Sequence, residues 1–298
     1  MKKKISHFRK KSFIISFIIF IFFFIFFKIK DEHFSLNKIQ KVNEKKNELD
    51  ETVDLEKINS ILNQKFYYLI RGKQFFVFLS EDKKHVIKFY DRNRNHSDLF
   101  FPNISMPKKL DNMRKGFYER RRKRFLKEME SLKMAYENFK EDCALEYVHL
   151  AATNNLGKVI LLSKFHDSFE IDLNNAIFVL QKRYDENFFV AFEKTKDNSL
   201  KEGLLDSFLR MIDKRCKKLI IDDDMNEAHD NWAVLDNEVF NIDIGKWYFD
   251  EKLKDSKYYK KEMIKASKAL KKYLEKNDIE MSNKLDLKMI KYFENFKS

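Results

Sequence analysis

Three hydrophobic periods run along this chain, and each predicts a different kind of structure. From residue 13 to residue 27, Phe and Ile follow one another with only Ser16 between them. A helix with no polar face belongs in a membrane or a deep core, not on a protein surface. Between residues 66 and 90 the pattern shortens to strand-length runs, FYYLI, QFFVFLS and HVIKFY, separated by Arg71-Gly72-Lys73 and by Glu81-Asp82-Lys83. Aromatic and β-branched runs bounded by turn residues predict three antiparallel strands. From 117 to 139 the period becomes helical, with Phe125, Met129, Leu132, Tyr136 and Phe139 on one face.

The same reading divides the rest of the chain. Residues 31–65 are highly charged with scattered apolar positions, a helical linker that docks only at its C-terminal end. Residues 91–115 hold both prolines, Pro102 and Pro107, and read as a loop. Further sheet is expected within 144–183, at Lys158–Leu162 and Ala176–Gln181. An amphipathic helix over 199–219 leads into LIIDDDMNEAHDNWAVLDNEVFNIDIGKW, where two short apolar segments flank a turn at Asp236-Asn237. Lysine-rich helices at 257–275 and 284–297 close the chain. The expected fold class is α+β: a membrane segment and its basic flank at 1–30, the linker at 31–65, an N-terminal lobe at 66–183 and a mostly helical C-terminal lobe at 184–298.

Charge refines this picture. The formal net charge is +13 over 298 residues. Six Lys and Arg lie within residues 1–11 and six more between Arg120 and Lys127, so the excess is concentrated. The first group is a topology signal; nucleic-acid binding is not expected. Fifteen residues at about 1.5 Å each give about 22 Å, and flanking lysines extend such a span. KIKDEHF after the run offers no small-residue cleavage site, so 13–27 is expected to be a single-pass anchor in a lipid membrane. The positive-inside rule then sets residues 1–11 in the cytoplasm and the folded domain on the other side. Cys143 and Cys216 lack metal-type spacing and are expected as buried free thiols.

The chemistry gathers between Leu219 and Trp247. Carboxylates and a carboxamide at the ends of paired strands supply the hard oxygen ligands of a cation–phosphate site. Asn231 precedes Asp243-Ile244-Gly245 by enough chain for two strands and a turn. Upstream, Lys88 stands among the apolar residues of a strand, and Glu128 lies at the edge of the apolar helix face. The order of glycine hairpin, strand lysine, helix glutamate, acid loop, Asn and Asp-x-Gly resembles the protein-kinase-like superfamily over residues 66–247. It looks closest to membrane-anchored kinase-like proteins of chlamydia-type bacteria, and more distantly to lipopolysaccharide-core sugar kinases.

The resemblance implies a two-lobed kinase-like fold with ATP and Mg²⁺ as cofactors. Gly72 would belong to the nucleotide-covering loop, Lys88 would hold the α/β-phosphates, and Glu128 would orient Lys88. Asn231 and Asp243 would coordinate Mg²⁺, with Gly245 completing the turn. The sequence departs from that pattern in three ways. The covering loop has one glycine, no His-Arg-Asp precedes Asn231, and no Ala-Pro-Glu follows. The position five residues before Asn231 is Asn226, so Asp222 or Asp224 would have to serve as the catalytic acid, with Asp222 preferred because it directly follows the apolar run. The same departures leave open a catalytically inactive relative that binds without turnover. The acceptor substrate is not legible.

Overall fold

The computed structural model describes residues 17, 19–22, 34–42, 54–95, 107–184, 186–224 and 231–296. The apolar run at 13–27 lies largely outside them, as do Asn226 and its neighbours at 225–230. Among the described residues no helix is long and apolar enough to cross a membrane.

The architecture is mixed α+β. A first helix, α1 (Leu55–Leu62), leads into the hairpin strands β1 (Lys65–Arg71), β2 (Phe75–Ser80) and β3 (His85–Tyr90). One helical turn and a long helix, α2 (Lys108–Phe139), follow, then β4 (Leu145–His149), β5 (Lys158–Leu162), β6 (Ser168–Asp172) and β7 (Phe178–Lys182). These seven strands form one sheet in the order β4-β7-β3-β2-β1-β5-β6. Only β1 and β5 pair in parallel.

The second half begins with β8 (Glu186–Asn187), α3 (Phe188–Lys194) and α4 (Asn198–Lys217). Then come β9 (Ile220–Asp222), β10 (Trp232–Leu235), β11 (Glu238–Asn241), β12 (Trp247–Phe249), α5 (Ser256–Asn277) and α6 (Ile279–Asn295). Strands β10 and β11 form a hairpin edged by β8, and β12 pairs with β9.

Period-two alternation explains the sheet. In β3, Ile87 and Phe89 are fully buried on one face, where they join Phe66, Phe76, Phe78 and Phe178 in a first core. Val86, Lys88 and Tyr90 point to the other face. That face meets α2 and the chain just past β11, so a lysine placed there by alternation meets protein instead of bulk water. A second core is built from α3, α4, α5 and α6 around Phe208, Trp232 and Tyr259. A third cluster joins α2 and the large sheet to the second half of the chain through Leu132, Phe139, Val179, Ile220, Ile244 and Trp247. Phe139 and Trp247 meet edge to face, ring centroids 5.3 Å apart, and Ser131 Oγ accepts from the Trp247 amide at 3.0 Å.

Two stretches differ from expectation. Part of the expected linker belongs to the first core: Phe34 meets Phe78 edge to face at 4.8 Å, and the Gln40 amide donates to the Tyr90 carbonyl at 2.9 Å. One buried aromatic and a few backbone bonds suffice to dock a segment whose average composition is polar. The helix expected from 117 starts at Lys108 instead, directly after Pro107. Proline is tolerated at a helix start because its missing N–H would have no partner there.

Candidate functional site

The site begins with the β10–β11 hairpin. Leu235 pairs with Glu238, leaving Asp236 and Asn237 as a two-residue loop with φ of 52° and 63°. Both central residues in the left-handed region define the tight turn that suits strand twist, and Asp and Asn tolerate that region better than most residues. The ladder extends past the strands: the Ile242 amide donates to the Asn231 carbonyl at 2.8 Å. Asn231 and Asp243 therefore leave the same end of the hairpin. Asn231 is buried, and its Nδ2 approaches the Asp224 carbonyl at 3.4 Å.

Lys88 reaches this end from the other lobe. Its Nζ donates to the Ile242 carbonyl at 2.9 Å, one residue before Asp243. Burial pulls the ammonium below its ordinary pKa, and Asp243 partly opposes that fall. Asp243 keeps surface open to solvent while neighbouring protein crowds it. Crowding raises its carboxyl pKa; Lys88 and Lys73 pull it back, and Asp224 and Asp222 push it further up.

Glu128 is held differently from expectation. It is buried on α2, and its carboxylate accepts from Gln74 Nε2 at 3.0 Å and from the Tyr90 hydroxyl. Lys88 turns to Ile242, so the Lys88–Glu128 ion pair expected from the sequence is absent from this arrangement. Tyr90 lies two residues beyond Lys88 on the same face of β3, which is why it reaches the helix glutamate first. Gly245 sits beneath Gln74: a Cβ there would lie 2.8 Å from Gln74 Nε2. Gly72, by contrast, has room for a side chain, its nearest neighbour at 3.6 Å; its turn is closed by its own amide donating to the Phe75 carbonyl.

The acidic triplet divides its duties. Asp222 is 1% exposed. Its Oδ2 accepts from Arg215 at 3.2 Å and from Trp247 Nε1 at 3.0 Å, and its Oδ1 accepts from the Asp224 amide at 2.9 Å. Arg215 also pairs with Glu262 at 3.3 Å. Asp222 is thus a buried anchor tying α4, β12 and α5 together. Asp224 is nearer the surface and pairs with Lys246 at 2.6 Å. Asp223 is exposed, 3.7 Å from Lys265.

The structure brings Lys88, Asp243, Asn231 and Asp224 to one end of the hairpin, buries Asp222 in an ion cluster and keeps Glu128 on the neighbouring Gln74–Tyr90 pair. Gln74, Tyr90 and Lys73 were not singled out by the sequence. Their signal is weak, since a glutamine and a lysine in a turn and a tyrosine in a strand are ordinary until folding brings them into contact.

No protein-family model matches the chain, and no curated protein matches it. Among solved structures, it is similar to WbdD in complex with the kinase inhibitor LY294002, at 12% identity and a TM-score of 0.35, covering 78% of this chain and 46% of that one. A second structure, described as the bifunctional kinase-methyltransferase WbdD, matches at 12% identity and a TM-score of 0.36, covering 76% of this chain and 43% of that one. The chain spans less than half the length of each. Likeness at this level decides neither fold nor role.

Proposed function

We propose that the residues gathered around Lys88, Asn231 and Asp243 bind a nucleoside triphosphate with Mg²⁺, and that the chain is a kinase-like phosphotransferase. The observation that carries this reading is Lys88 Nζ at 2.9 Å from the Ile242 carbonyl. It sets a cation from the sheet beside Asp243, with Asn231 across the hairpin. Lys88 would neutralise phosphate oxygens, while Asp243 and Asn231 would hold Mg²⁺. A carboxylate with a carboxamide fits that ion, which binds through one or two carboxylates and completes its shell with phosphate oxygens and water. Among the described residues no three His, Cys, Asp or Glu side chains cluster as a metal site, so such an ion would rest on this mixed donor set. The bound ion and ATP supply the transferable phosphoryl group and its charge compensation; this chain's residues supply positioning. Asp224, once released from Lys246, would orient the acceptor hydroxyl. The run at 13–27 would hold the domain at a membrane.

Two observations favour a second reading, a kinase-like module that binds without turnover. Glu128 is engaged by Gln74 and Tyr90, and Asp222 is sealed in a buried ion cluster.

Thermal melting with a non-hydrolysable ATP analogue, with and without Mg²⁺, separates these possibilities from no site at all. A Mg²⁺-dependent rise in Tm that disappears in Asp243→Ala supports the site; no rise removes both readings. A rise without ATP turnover on any offered acceptor selects the second.

A further inference from the structure

The cations of this protein are unevenly neutralised. On α5 and α6 some lysines find acids: Lys271 pairs with Asp286, Lys284 with Glu202 and Glu280, and Lys288 with Asp206. The first five turns of α2 are more strongly basic. Residues 108–127 carry ten Lys and Arg against two acids, Asp111 and Glu119. Asp111 is consumed by Arg114 and Lys115. Lys108, Lys109, Arg120, Arg122, Lys123, Arg124 and Lys127 are all exposed, and none has a carboxylate partner among the described residues.

The same turns expose apolar side chains. Leu110, Met113 and Phe117 are 51%, 64% and 46% exposed. They recur at helical spacing on the face that, further along α2, buries Glu128, Leu132 and Ala135. At about 100° per residue, Arg124 falls within this stripe and Arg120 on its edge. Among the described residues the three apolar side chains thus stay exposed, flanked by cations that have no carboxylate partner.

We infer that the N-terminal half of α2 lies on an anionic lipid surface, with Leu110, Met113 and Phe117 entering the headgroup boundary and Arg120, Arg122, Lys123, Arg124 and Lys127 meeting lipid phosphates. A basic helix with an exposed apolar edge is the form that binds such interfaces. Clustered Lys and Arg gain from the negative surface potential only within a screening length of the membrane. The Phe/Ile run at 13–27 favours lipid over nucleic acid as the source of phosphate, because it would hold α2 at the required distance.

The test uses the full chain carrying Met113→Cys, labelled with an environment-sensitive fluorophore. The native cysteines, Cys143 and Cys216, are fully buried and stay unlabelled in the folded protein. The labelled chain is reconstituted in phosphatidylcholine vesicles and in equimolar phosphatidylcholine–phosphatidylglycerol vesicles. A blue shift and quenching by brominated lipid are expected only in the anionic vesicles, with loss of both near 1 M salt, where screening shortens to about 3 Å. Both should also be lost in Arg120→Gln/Arg122→Gln/Lys123→Gln/Arg124→Gln, with an unchanged circular dichroism spectrum and Tm. Identical emission in the two lipids, or a shift that survives the four substitutions, overturns the inference. Tight oligonucleotide binding without a lipid response overturns it in favour of a nucleic-acid face. Flotation on neutral vesicles reads the run at 13–27 separately.

Discussion

Gln74 and Gly245 meet so closely that a methyl group on Gly245 would lie 2.8 Å from the Gln74 amide nitrogen. The same amide donates to Glu128 at 3.0 Å, so one side chain links the β1–β2 turn, the long helix and the Asp-x-Gly turn. Gly245→Ala is expected to push Gln74 off Glu128. The clash falls on the end of a flexible side chain, so the cost should be about 1 kcal/mol, that of one hydrogen bond. Gln74→Ala should cost a similar amount and make Gly245→Ala nearly neutral. A double-mutant cycle in urea that gives additive losses would refute the contact.

Asp222 is expected to behave as a structural residue. Asp222→Ala removes one of the carboxylates paired with the buried Arg215 and strips Trp247 Nε1 of its acceptor. Breaking a buried ion network in this way costs about 3–5 kcal/mol, read as a fall in the urea midpoint at constant m-value. Asp224→Ala, near the surface, should cost about 1 kcal/mol or less. Equal stability of Asp222→Ala and wild type would return Asp222 to the list of free acids.

Local chemistry was legible in the sequence, and contacts between lobes were not. Strand-length runs gave β1, β2 and β3, and Asp236-Asn237 gave the hairpin turn, because both depend on neighbours in sequence. Asn231 and Asp243 emerged together because that hairpin relates them. Glu128, expected to face Lys88, meets Gln74 and Tyr90 instead: choosing between Lys88 and Tyr90 depends on how α2 is set over the sheet, which no local pattern records. Asp222 stood out as one of three acids, but the cluster that buries it draws on Arg215, Trp247 and Glu262 from three other elements.

Lys88 carries an energetic cost. Its ammonium is pulled below the ordinary value of 10.5 by burial, with Asp243 only partly compensating. A cation whose pKa is depressed on folding costs stability at neutral pH, where the charged form must be desolvated. Lys88→Met keeps the length and removes the charge, so its urea midpoint at pH 7 should equal or exceed that of wild type while nucleotide binding is lost. The unfolded chain holds the Lys88 proton more tightly, so wild type should gain on the variant as pH rises toward 10.5. A variant that is less stable than wild type at pH 7 would show that the bond to Ile242 outweighs the burial cost.

Cys143 and Cys216 are expected to be inert in the native protein. Burial raises the Cys143 thiol well above its usual range and pushes Cys216 up to about 12. The thiolate is the reactive form, so iodoacetamide at pH 8 should label neither cysteine until denaturant unfolds the chain. Labelling of either without denaturant would place that thiol at an accessible surface.

His149 should set the acid limb of stability. It is 1% exposed at the end of β4, stacked on Phe178 with ring centroids 5.1 Å apart. Its Nδ1 donates to the Ala176 carbonyl at 2.6 Å, and its Nε2 lies 3.1 Å from Thr153 Oγ1. Burial lowers its pKa from 6.5, against opposing pulls from the Ala176 carbonyl and Asp172. The folded state therefore favours the neutral ring. Its contribution is complete above the unfolded value of 6.5 and is lost as pH falls below it through the lower folded value. His85 is shifted in the same direction by burial, so wild type alone cannot assign the effect. His149→Gln retains an amide donor for Ala176 without a titrating ring. Urea midpoints for wild type should be flat from pH 8 to 7 and decline toward pH 5, with a shallower decline in His149→Gln. Parallel curves would move the acid limb to His85 or to the surface carboxylates.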